Sequence, residues 1–104
     1  MVSDKKYRLI FTVKEIAGTC PVFNVGDKII VESPRIAIDK TDNMCIHAVG
    51  CMLSMIVPLS LGTDFKQLGL AVEGEEKGYI QCPDPGGPYT DGGTVLFEID
   101  RERI

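Results

Sequence analysis

The chain has 104 residues, enough for one domain with one modest core and too few for two. Its net charge is −4, with 44% apolar and 25% charged residues, the balance of an ordinary globular domain. Lys and Arg are scattered, at Lys5, Lys6, Arg8 and Lys14 near the start and Arg101 and Arg103 at the end. No basic stripe carries interleaved aromatics, which argues against a nucleic-acid partner.

The opening "MVSDKKYRLIF" contains no apolar run ending in a small-residue cleavage site, so the sequence predicts a cytoplasmic protein that is not secreted. Tyr7, Leu9, Phe11 and Val13 alternate strictly, which predicts a half-buried strand ending near Gly18. In the loop that follows, Pro21 keeps Cys20 out of helical geometry and Gly26-Asp27 marks a turn. "KIIVES" predicts a second strand stopped by Pro34, and "RIAID" a short extended piece.

"DKTDN" is a cluster of helix N-cap residues, and the helix it predicts covers residues 44–61. It is apolar on nearly every side. Ile46, Val49, Leu53, Ile56 and Val57 form one stripe, and Met52, Met55 and Leu59 another, a pattern that predicts a largely buried helix. The only polar row is His47, Cys51 and Ser54. The run is long enough to suggest a membrane span, but His47, Gly50, Ser54, Pro58 and Gly62 interrupt it and no positive flank anchors it, so no membrane is expected. Pro58 should kink or end the helix, with Gly62 near its C-cap. "GYIQC" and "TVLFEIDRE" predict third and fourth strands, the last with Val95, Phe97 and Ile99 on one face. The expected fold is a single α+β domain over residues 1–104: a small antiparallel four-stranded sheet, β-β-α-β-β, packed on one central buried helix.

The four cysteines carry the chemistry worth weighing. In a cytoplasmic chain they are free thiols, metal ligands or redox groups, and none forms a CxxC pair. Cys20 and Cys82 both precede proline at the junction of a loop and a strand. Cys45 falls in the first turn of the predicted helix, where the macrodipole and free N–H groups favour a thiolate. If the strands carry Cys20 and Cys82 to that turn, three thiolates form a site for an iron–sulfur cluster or a thiolate-bound metal, with Cys51 or His47 as a fourth ligand. Alternatively Cys45 is a nucleophile in sulfur handling or redox catalysis, with Cys20 or Cys82 as resolving thiol. The third reading is a structural or partner-binding domain, because buried free cysteines behave as small hydrophobes.

Other motifs exclude chemistry more than they suggest it. There is no phosphate-binding GK[ST], no GxSxG and no HExxH. "PGGPYTDGG" has no lysine and precedes a strand, so it fails as a phosphate cradle. Asp84 and Asp91 read as turn formers and Glu73, Glu75 and Glu76 as a solvated face.

Three segments, "GTCPVFNVGDKIIV", "MCIHAVGCMLSMIVPLSLG" and "YIQCPDPGGPYTDGGTVLFEI", carry a resemblance to a small, functionally uncharacterised family of anaerobic bacteria and archaea. Its pattern has a Cys-Pro before a strand, a cysteine at the start of a central helix and another before the last hairpin, which correspond to Cys20, Cys45 and Cys82. The resemblance implies a shared three-cysteine feature and brings no activity with it. The partners expected are a protein that exchanges electrons or sulfur with these cysteines and, through a sheet edge or the apolar helix, a second copy of the chain.

Overall fold

The computed structural model describes residues 7–104; residues 1–6, on which part of the N-terminal reading falls, lie outside it. In chain order the elements are β1 (Tyr7–Gly18), β2 (Lys28–Glu32), β3 (Arg35–Ile36), a 3-10 turn (Ile38–Lys40), α1 (Ile46–Ser60), β4 (Gly78–Gln81) and β5 (Gly93–Arg103). All pairings are antiparallel and the sheet order is β3-β2-β1-β5-β4. The α+β class is as expected, but the sheet has five strands. "RIAID" supplies the fifth: Val31 and Glu32 pair with Ile36 and Arg35 before the chain turns into the 3-10 segment.

The sheet is built around the long β1–β5 pair. Val13 lies opposite Phe97 and Ile16 opposite Val95, with a register shift between Val13 and Glu15. That one-residue bulge changes the phase of β1, so an even-numbered residue, Ile16, takes up the inward alternation of Leu9, Phe11 and Val13. Leu9, Phe11 and Val13 meet Val95, Phe97 and Ile99 in a core completed by Ile29, Val31, Phe23, Phe65 and the inner face of α1. Phe23 stands edge-on to Phe97, with ring centroids 5.3 Å apart. Gly78 in β4 is a glycine because Phe65 lies on it: an added Cβ would sit 2.4 Å from the Phe65 ring.

Two expectations for the helix are corrected. First, α1 is not buried all round. Ala48, Met52, Leu59 and Ser60 are its buried residues, whereas Ile46, Leu53 and Val57 are 83%, 61% and 49% exposed. A single helix on one sheet can be covered on one face only. Second, the polar "DKTDN" cluster does not cap it. Thr41 Oγ1 accepts from Ile30 N and donates to Ala37 O, Asp42 accepts from Lys28 N, and Asn43 donates to Val22 O. These side chains bind the connection to β2 and to the loop after β1. The N-cap is Cys45, whose C=O accepts from Val49 N at 2.9 Å.

Pro58 stands in the last turn and the helix ends two residues later. Thr63 N donates to Pro58 O and Gly62 N to Leu59 O, with Gly62 at φ +96°, which is the Schellman arrangement. Arg101 of β5 completes the end by donating to Leu59 O and Thr63 O. None of the helices among the described residues is long and apolar enough to cross a membrane.

Candidate functional site

The end of the sheet beneath the N-terminus of α1 holds a cavity of about 300 Å³. Cys20, Cys45 and Cys82 all line it, with His47, Asp84, Phe23 and the glycines Gly92 and Gly93. The three expected cysteines, from three separate segments, are therefore brought to one cavity, and His47 with them.

Glycine makes this convergence possible. Gly18 pairs with Gly93 at the end of the β1–β5 ladder. A Cβ on Gly93 would stand 2.7 Å from Thr19 N, and one on Gly18, at φ +88°, would stand 2.9 Å from Gly92 O. Only with both side chains missing can the chain leaving β1 pass so close to β5, and that passage delivers Cys20 to the cavity. Pro21 then directs the chain inward to Phe23. Cys82 arrives one residue after β4, still on the ladder through Cys82 N to Val95 O at 3.0 Å.

Two of the three sulfurs each accept one backbone N–H. Phe23 N donates to Cys20 Sγ at 3.4 Å, and Val95 N donates to Cys82 Sγ at 3.2 Å. Cys82 is buried, and its thiol lies 3.7 Å from Gly93 O as donor. Cys20 and Cys45 are half-buried. Cys45 sits where the first-turn N–H groups of α1 emerge, and no side chain caps them.

Cys51 stands apart. It does not line the cavity; its single thiol hydrogen is shared between Ala48 O at 3.0 Å and Gln81 O at 3.3 Å. Burial first, and the nearby Cys82 thiol next, push the Cys51 thiol above its ordinary pKa.

Asp84 is the residue whose part in the site the sequence concealed. It is a turn former, as expected, accepting from Gly86 N at 2.9 Å and from the Thr90 hydroxyl. It also lines the cavity, and Gly92 is a glycine because the Asp84 carboxylate occupies the space of its missing side chain. The Thr90 hydroxyl, the Gly86 N–H and the nearby His47 together hold the Asp84 carboxyl below the usual carboxylate range. The signal that would have found it is the Asp-Gly-Gly at residues 91–93, read as room for a neighbour rather than as turn chemistry alone.

Among the described residues, no three His, Cys, Asp or Glu side chains are placed to hold a metal ion. The cysteines border a volume without converging on one point. No protein-family model, curated protein or solved structure matches the chain.

Proposed function

We propose that the chain is a small cytoplasmic redox or accessory module that holds an iron–sulfur cluster in the cavity, with Cys20, Cys45 and Cys82 as its ligands. The observation that carries this reading is the lining itself: three thiols from three distant segments around one cavity of about 300 Å³. A single metal ion asks its ligands to meet at a point, which these side chains do not do. A cluster asks each thiolate to reach a different iron across a volume. Backbone N–H groups already directed at Cys20 and Cys82 are of the kind that tune cluster potentials, and the positive end of α1 beside Cys45 suits an anionic group. Cys51, bonded to helix and strand carbonyls, is left out of the ligand set, and His47 is the side chain available to a fourth iron.

The place of Cys45, half-buried in the cavity wall beside the uncapped first-turn N–H groups of α1, favours a second reading, a thiol enzyme with Cys45 as nucleophile and Cys20 or Cys82 as resolving thiol. Anaerobic purification separates the two. A coloured protein with broad visible absorption, lost on replacement of any one of Cys20, Cys45 or Cys82 by Ala, supports the cluster. A colourless protein in which Cys45 alone alkylates rapidly supports the enzyme. Four thiols that react only after unfolding refute both and leave a domain with inert cysteines.

A further inference from the structure

The exposed face of α1 carries an aliphatic stripe beside the exposed His47 and Ser54, and the stripe's spacing is regular. Ile46, Gly50, Leu53 and Val57 follow at intervals of four, three and four residues, which places them in one narrow stripe. Ile46, Leu53 and Val57 are 83%, 61% and 49% exposed, and Met44 beside them is 43% exposed. α1 contains no Asp, Glu, Lys or Arg.

Gly50 is the informative member. It lies mid-helix, where glycine costs roughly 1 kcal/mol relative to alanine. It has no positive φ, and an added Cβ would meet nothing within 4 Å. Neither its backbone conformation nor any contact among the described residues calls for glycine. What remains is close approach from outside. The groove at Gly50, about 350 Å³, is walled by Ile36, Met44, Cys45, Ile46, Val49 and Leu53.

We infer that this stripe docks against the same stripe of a second copy of the chain, forming an antiparallel α1–α1 dimer. The stripe is self-complementary. A two-fold axis perpendicular to the helix, midway between Gly50 and Leu53, sets Gly50 opposite Leu53 of the second copy and Ile46 opposite its Val57. Each copy then places a leucine in the groove that the other's glycine leaves open, with a spacing that suits helices crossing near +20°. The area is adequate: the exposed aliphatic surface is on the order of 500 Å² per chain, close to the apolar share of the roughly 800 Å² that each partner buries in a standard dimer. Charge agrees. The chain carries −4, and a helix face without Asp or Glu is where two copies can meet without opposing their carboxylates. The groove and the cavity meet at Cys45, but Ile46, Gly50, Leu53 and Val57 of the stripe line no part of the cavity.

Sedimentation equilibrium of the full chain at tens of micromolar, about the range where a standard interface associates, tests it. The wild type is expected to be a dimer. Gly50→Gln improves helix propensity while filling the groove, and Leu53→Glu removes the side chain that enters it; each is expected to weaken the dimer by about tenfold or more, with the helix signal in circular dichroism retained. A wild type that stays monomeric, leaving the stripe to some other protein, overturns the inference. So does a dimer that either folded variant leaves intact, which would move the interface to a sheet edge at β3 or β4.

Discussion

Replacing Arg101 by Met keeps an unbranched chain of similar reach and removes only the guanidinium. That group lies 4.2 Å from the centroid of the Phe65 ring and 5.1 Å from that of Tyr7. Its Nη1 donates to Leu59 O at 3.2 Å and to Thr63 O at 2.7 Å, two carbonyls at the C-terminal end of α1. Burial draws its pKa below the ordinary value, yet arginine stays charged. Each ring contact contributes about 0.5–1 kcal/mol at a partly exposed site. A hydrogen bond from a charged donor contributes about 1.5 kcal/mol at the low end of its range, and here one nitrogen serves both carbonyls. Together these give a loss of about 2–4 kcal/mol, or a Tm lower by about 10–20 °C for a domain of this size. Arg101→Lys keeps the cation without the planar fork and should recover about half. Urea and thermal melts with unchanged m-values measure both variants. A Met variant within about 0.5 kcal/mol of wild type would refute the reasoning, because that is the size of an ordinary surface substitution.

Three further outcomes follow from the packing and electrostatics. Gly78→Ala sets a methyl 2.4 Å from the Phe65 ring and should cost about 1–3 kcal/mol in a denaturant melt; a neutral result would mean that Phe65 does not lie on β4. Hydrogen bonds from Arg8, then from Arg35 and Lys40, lower the Glu32 carboxyl from 4.5 to about 2. Because the folded-state value is the lower one, the stability it contributes is present above pH 4.5 and drains away as pH falls from there toward 2. Glu32→Gln should flatten the acid limb of stability in that window, and an unchanged limb would contradict the cluster of cations around it. In metal-free native protein Cys51 should alkylate more slowly than Cys45 by peptide mass mapping, since burial disfavours its thiolate; Cys51 reacting first would contradict its placement.

The long strands and the helix were legible in the sequence because they carry a period. Leu9, Phe11 and Val13, and Val95, Phe97 and Ile99, alternate as expected and are buried as expected. Gly62 closes α1 as its position suggested. What escaped has physical reasons. "RIAID" reads as a short extended piece, but β3 is two residues long, too short for any period to show that it pairs as a fifth strand. The apolar stripe Ile46–Leu53–Val57 resembles core in sequence, and only the number of covering layers decides that it faces outward. Thr41, Asp42 and Asn43 have the chemistry of helix caps, but β2 and the loop after β1 offer them backbone partners, and tertiary contacts won over local propensity. At the site, the sequence singled out Cys20, Cys45, Cys82, His47 and Cys51, and all but Cys51 line one cavity. It did not reveal the glycines: Gly18 and Gly93 matter through an approach between strands far apart in the chain, which no local pattern records.

The central claim is that three thiols around one cavity hold a cluster, and the most direct measurement is iron and acid-labile sulfide per chain after anaerobic reconstitution. Wild type and Cys51→Ala should both carry several irons with matching sulfide, and Cys45→Ala should lose them. Wild-type protein that is folded, with its thiols reduced, and still binds neither iron nor sulfide would contradict the account.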